Sequence, residues 1–473
     1  MSDLWSLTAT EALARFRDRS LSPVELTEAI IARAEATEPV INALSYRHFD
    51  AALAAARKAE ARYMAQGPKP RALEGLCVAV KDSGHIRGQA TSAGSMVTSD
   101  VARRDTSPVN QHVLRAGAIV HARSATPEFS CATVTHSRRW GVTRNPWNTE
   151  LTPGGSSGGA AAALAAGSAT LATGSDIAGS IRIPAACCGV VGLKPSRGRN
   201  PVDPPFNLDF YCHTGPLART VSDALLLQNA MCGPHPDDPT LLRPRQRLVP
   251  DGRGLEGWRI ALSVDLGFYE VDPEVVANTR ALAARAADMG ATVEEVSLPW
   301  DWDVVEAALT HLRQIFGTSI AVEAGERAHL LTPYARAFAE DGLTVTPREF
   351  YAALDVAGRV ATDLGRLMSR FDLLICPTTA IPAVPARFDH SRDRLKINGN
   401  PVEPMLGWVM TVPFNMASTH PVLSLPSGRA ANGVPTGAQL VGRSFRDIDV
   451  MRAGFALETH GGTLAPIAGV DRA

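Results

Sequence analysis

This sequence predicts a mixed α/β fold: a mostly parallel, twisted central sheet covered by helices on both faces. Three observations carry the prediction. Short apolar runs at residues 75–80 and 373–376 read as buried strands, and 119–122 as another strand. Amphipathic segments alternate with such runs, as at 107–116 and 273–289, which is the rhythm of βαβ units. Residues 151–199 place two glycine- and serine-rich turns around a thin alanine helix, an arrangement that lets backbone groups converge without bulk. The 473 residues are 45% apolar and 20% charged, ordinary globular values for a chain with a large core.

Taken in order, the chain opens on helices. Thr8-Ala-Thr-Glu11 and Ser22-Pro23-Val24-Glu25 are capping boxes, and the second has proline at the first helical position. Leu26, Ile30 and Ala34 give that helix an apolar face, with a stop expected at Pro39. A third, alanine-rich helix is expected at 49–64. The strand at 75–80 delivers Lys81 and Asp82 to its carboxyl end, where sites form in open α/β sheets. A turn at 153–159, a helix at 160–167 and a second turn at 174–180 follow. Residues 200–250 read as a surface crossing that includes a helix at 220–231. Strands at 258–264 and 292–296 flank the helix at 273–289. The long helical patterns at 303–341 and 347–370 break the rhythm and are expected to cap a pocket. A charged loop at 386–400, late strands at 422–425 and 437–441 and a helix at 450–458 complete the chain. The expected organisation is one unit over 1–473, with helices at 1–66 wrapping the core and a helical cap at 303–370.

Charge and cysteine content exclude several classes. The formal net charge is −1 and no basic or acidic run stands out, so neither nucleic acid nor a membrane surface is expected as a partner. Seven scattered cysteines show no metal-ligand spacing; reduced thiols in a cytoplasmic protein are the simplest reading. The N-terminus lacks a basic region followed by an apolar run, so no signal peptide is expected. No metal and no cofactor is expected.

The chemistry concentrates in 151–199. The turn Gly154-Gly155-Ser156-Ser157-Gly158-Gly159 is not a phosphate loop, because no lysine follows it. It matches G-x-S-x-G, a nucleophile elbow, but residues 145–153 are polar and proline-broken where that motif needs a buried strand. The elbow also needs a base, for which His311, His390, His420 and His460 remain open.

The same stretch resembles the amidase signature family. GGSSGG stands at 154–159, GSDIAGSIRIPA at 174–185 and CGVVGLKP at 188–195. Ser180 follows Ser156 by 24 positions, the family spacing. Residues 76–82, 125–129, 141–147, 411–415 and 435–439 resemble further markers of that family. The resemblance implies roles. Ser180 is the acyl nucleophile, and Ser156, preceded by a cis peptide, relays protons between Ser180 and Lys81. Lys81 can serve as a base only when burial keeps it neutral. The backbone N–H groups of Ile177, Ala178, Gly179 and Ser180 form the oxyanion hole. Ala178 stands where many members have glycine, so the loop must accept negative φ there. Ser130 lies beside the acyl group, while Ser157, Asp176 and Arg182 support the loop. Phe129, Phe206, Tyr211 and Trp408 are pocket candidates.

The function so implied is hydrolysis of small or aryl amides, and of carbamates and esters, through an acyl-enzyme; the partner is a small-molecule amide and the chain a monomer or homodimer. One alternative is the glutamine-using subunit of tRNA-dependent amidation; a weaker one is a non-catalytic binding protein on the same scaffold. The glutamine-using branch carries an aspartate shortly before its T-V-P marker. This chain places Trp408 there, which offers an apolar face and no charge.

Overall fold

The computed structural model describes residues 4–65, 68–249, 253–461 and 464. Residues 1–3 and 66 of the expected N-terminal helices, residue 250 of the expected crossing and the tail of the expected 1–473 unit lie outside them.

Eleven strands form one sheet. They are β1 (Leu44–Arg47), β2 (Cys77–Lys81), β3 (Ile119–Ser124), β6 (Leu171–Asp176), β7 (Val191–Lys194), β8 (His213–Ala218), β9 (Arg259–Leu262), β10 (Thr292–Glu295), β11 (Leu373–Pro377), β14 (Val422–Arg429) and β15 (Pro435–Gly442). The remaining numbers belong to two small ribbons, β4 (His136–Ser137) with β5 (Gly141–Val142), and β12 (Leu395–Ile397) with β13 (Asn400–Val402). The sheet order is β1-β3-β2-β6-β8-β7-β14-β15-β11-β9-β10.

The mixed α/β class is as expected, but the sheet is not mostly parallel. Only β2 with β3, β2 with β6, β9 with β11 and β9 with β10 pair in parallel. The centre, from β6 through β8, β7, β14 and β15 to β11, is antiparallel. The reason lies in the connections. Helical crossovers, which parallel neighbours require, link β2 to β3 and β9 to β10, whereas β14 reaches β15 through a short turn that fixes an antiparallel pair.

Alternation along the strands explains why helices cover both faces. In β11, Leu373 and Ile375 join one apolar cluster while Leu374 and Cys376 join another. The first cluster includes Leu13, Leu26, Leu282 and Val450 from the N-terminal helices and helices Pro273–Asp288 and Asp447–Gly461. The second includes Leu309, Tyr334 and Leu364 from helices Asp303–Leu312, Pro333–Gly342 and Pro347–Met368. Both expected capping boxes form, on helices Ala9–Asp18 and Pro23–Ile41. The latter runs through Pro39 instead of stopping there, because it ends within the same turn at left-handed Asn42, where Glu38 takes over the Ala43 and Leu44 N–H groups. The charged loop at 386–400 leads into the β12–β13 ribbon, turned by Asn398 and Gly399 at positive φ. Among the described residues no helix is long and apolar enough to cross a membrane.

Helix Gly158–Ala166 is buried at every position. A helix enclosed on all sides can touch its neighbours through backbone only if its side chains are small. At Gly159 an added Cβ would lie 2.4 Å from the Ala125 nitrogen and 2.5 Å from the Ala43 carbonyl oxygen, with no flexible side chain to yield. Gly159→Ala should therefore destabilise the fold by about 1–3 kcal/mol, the usual cost of overpacking. A denaturant midpoint equal to that of the parent protein would contradict this packing.

Candidate active site

The site is built where the carboxyl ends of the parallel strands β2 and β6 meet the 153–157 turn. β2 is buried throughout and ends on Lys81. Its neighbour β6 brings Thr173 and Ser175, and the Lys81 N–H donates to Thr173 Oγ1 at 3.3 Å. Lys81 Nζ lies 2.7 Å from Ser156 Oγ and 2.9 Å from Ser175 Oγ. The lysine is 3% exposed, and burial pushes its pKa down from 10.5 to about 7, against the opposing pull of Asp176. The Gly155–Ser156 peptide is cis. The Ser157 N–H donates to the Ser180 carbonyl at 3.1 Å, which ties the first turn to the second.

The second turn is held by a fully buried ion pair. Arg182 Nη2 lies 2.9 Å and Nε 3.0 Å from the Asp176 carboxylate. Burial pushes the Asp176 carboxyl up, but Arg182 and Asn415 more than offset it and hold it well below the usual carboxylate range. Arg182 also donates to Gln439 Oε1 at 2.7 Å, to the Thr411 carbonyl at 3.0 Å and to Asn415 Oδ1 at 2.6 Å. Residues from the markers at 411–415 and 435–439 thus complete the shell of one guanidinium.

One expected oxyanion donor is corrected. The Gly179 N–H donates to Asp176 Oδ1 at 2.9 Å, because the carboxylate three residues back folds over the turn. Ile177, Ala178 and Ser180 keep N–H groups without a protein acceptor among the described residues. Ala178 stays out of positive φ, as the departure from glycine demands. Gly179 has φ +114°, and a Cβ there would meet Thr411 Oγ1 at 2.1 Å, so glycine is required on both counts.

Lys81, Ser156 and Ser180 share the wall of one cavity of about 300 Å³ with Ser130, Ile177, Phe129 and Phe206. Ser180 also faces a small slot of about 20 Å³, bounded by Ala178, Ile183, Met405 and Leu406. Lys81 and Ser156 do not reach that slot. Ser130 touches both spaces, with its hydroxyl 3.0 Å from that of Thr126.

Two pocket candidates fall elsewhere. Trp408 is fully buried and absent from the cavity wall; it fills the core between sheet and cap helices, where a large aromatic buries the most surface. Tyr211 is stacked on His311 at 3.8 Å beneath a neighbouring, more open groove of about 830 Å³. The elbow reading fails as well. None of His311, His390, His420 and His460 lines the cavity of Ser156; His213 does, but its Nδ1 is bonded to the Tyr211 carbonyl at 2.8 Å, and Ser156 is met by Lys81 instead. Sequence reasoning missed Ser175 as a second partner of Lys81, although it sits beside Asp176 inside the second motif. It also missed Phe316 and Ile320 of the cap helices on the cavity wall.

Comparison with known proteins agrees with this geometry. The family model described as Amidase matches residues 25–451. The A-subunit of the glutamyl-tRNA(Gln) amidotransferase of Chloroflexus aurantiacus is 33% identical, with 97% of each chain covered. A bacterial aryl acylamidase of the amidase signature family superimposes with a TM-score of 0.90 at 28% identity, covering 96% of each chain. The peptide amidase of Stenotrophomonas maltophilia gives a TM-score of 0.81 at 25% identity, covering 98% of each chain. A lysine, two serines and a cis peptide gathered in one cavity thus sit in a chain matched almost end to end: it belongs to the amidase signature family and is a hydrolase acting on amides.

Proposed function

We propose that this chain hydrolyses amides with a small acyl group and an aryl or alkyl amine, and the related carbamates and esters, through a Ser180 acyl-enzyme. The observation that carries the reading is the 2.7 Å contact between buried Lys81 and Ser156 in the cavity that Ser180 lines. Neutral Lys81 accepts a proton from Ser156 as Ser156 takes the proton of Ser180 Oγ. Ser180 Oγ bonds to the carbonyl carbon, and the oxyanion is met by the free N–H groups of Ile177, Ala178 and Ser180. The same protons return through Ser156 to the leaving nitrogen as the C–N bond breaks. Water then enters on the vacated side, and the relay runs again to release the acid.

Substrate orientation follows from the two spaces around Ser180. The leaving nitrogen must face Lys81 and Ser156, which line the large cavity and not the slot. The acyl substituent therefore enters the slot, whose volume suits a group the size of one or two carbons. The amine half occupies the cavity beside Phe129 and Phe206. In this reading the cap at 303–370 forms one wall of the substrate pocket, and residues 1–473 act as one unit, without a second kind of chain, in the cytoplasm. The glutamine-using reading has the names of relatives in its favour, but the acyl half of glutamine carries an ammonium and a carboxylate that this apolar slot can neither hold nor neutralise.

Two tests bear on the chemistry. Ser180→Ala should leave the fold intact and form no covalent adduct with an activated ester by intact-protein mass spectrometry; an adduct on the variant would remove Ser180 as nucleophile. Lys81 acts as a base only when neutral, so acylation should rise about tenfold per pH unit below its pKa of about 7 and level off above it. Lys81→Ala should lose both the rate and the inflection. A variant with the parent profile would assign the base elsewhere.

A further inference from the structure

One carboxylate on the cavity wall stands outside every ion pair that the described residues form. Asp176 is taken up by Arg182, and His85 Nδ1 lies 2.8 Å from Asp105. Burial holds His213 in its neutral form, with Nδ1 2.8 Å from the Tyr211 carbonyl. Lys81 rests on two hydroxyls. Asp203, on the same wall, has no ion pair among the described residues. Nor does its carboxylate cap a turn, since the Asn207 N–H goes to its backbone carbonyl at 3.1 Å. The Ser107 hydroxyl, which accepts the His85 backbone N–H at 2.7 Å, donates to the Asp203 carboxylate, a neutral partner that leaves the charge unpaired. Burial raises the Asp203 pKa against the opposing Ser107 hydrogen bond and the pull of His85, and the nearby Asp105 charge adds to the rise. A half-buried carboxylate so placed is relieved by a cation brought to it.

The leaving amine is the part of the substrate that occupies this cavity. We propose that Asp203 is a specificity-determining residue that selects amides whose leaving amine carries a second, cationic nitrogen. A primary ammonium or guanidinium on that half would reach a carboxylate that forms no ion pair among the described residues and whose neighbouring imidazole, His85, is bonded to Asp105, while the acyl group stays in the slot beyond Ser180. The inference rests on the amidase reading above and adds to it the charge of the substrate.

The test compares the propionyl amides of para-(aminomethyl)aniline and para-ethylaniline, which share a shape and differ in one positive charge at neutral pH. The parent protein should favour the charged probe by about tenfold or more in kcat/KM, the scale of one charge-assisted contact. Asp203→Asn should bring the ratio of the two probes close to one, and Asp203→Glu should keep it well above one. If Asp203→Asn hydrolyses neither probe, Asp203→Ser takes its place in the comparison. A ratio near one in the parent protein, or a ratio unchanged in Asp203→Asn, overturns the inference and leaves the amidase reading standing. If the parent protein hydrolyses neither probe, the substrate reading falls and the inference with it.

Discussion

The structure turns on keeping one lysine dry. Lys81 can take a proton at neutral pH only because its ammonium would lack water, and burial alone moves its pKa from 10.5 to about 7. A nearby carboxylate would undo this, and Asp176 is the nearest candidate. Arg182 limits that by holding the Asp176 charge in a buried pair, so that Asp176 offsets only part of the effect of burial. Breaking such a pair by removing one partner typically costs about 3–5 kcal/mol, because the other charge is left uncompensated. Here it would also restore the field that charges Lys81. Fold stability and base strength therefore share the same residues.

That arrangement explains why distant segments meet. The guanidinium of Arg182 is completed by Thr411, Asn415 and Gln439, more than 200 residues later in the chain. The antiparallel centre of the sheet brings Gln439 there, with β14 beside β7 and β15 beside β14, both packed against the helix that follows Ser180, while Thr411 and Asn415 lie at and in the short helix Pro413–Met416. The glycine- and alanine-rich helix Gly158–Ala166, with Leu164 its one large residue, does the equivalent for Ser156, since only a thin helix lets its preceding turn approach the end of β2. The cap helices contribute Phe316, Ser319 and Ile320 to the cavity, so chemistry comes from the sheet and shape from the cap.

The site was more legible in the sequence than the fold. Motifs with fixed spacing named Lys81, Ser156, Ser180, Asp176 and Arg182, and all of them converge. Strand direction was less legible, because an apolar run reads the same whichever way its neighbour points; only the hairpin from β14 to β15 could have revealed the antiparallel centre. Trp408 misled because its position was read from a marker while its direction was set by packing. The Gly179 N–H is engaged by a carboxylate that folds back over the turn, a contact that motif spacing does not encode. Asp203 lay in a proline-rich crossing with no periodicity, so nothing local distinguished it from any surface acid.

The most direct test of the dry lysine is an NMR titration of its ammonium in lysine-labelled protein without substrate. Lys194, also pushed down to about 7 by burial, titrates in the same region, so a Lys81→Met variant is needed to assign the signal. The account predicts that the signal lost in that variant titrates near 7 in the parent protein. A Lys81 signal that stays protonated until close to 10.5 would contradict it.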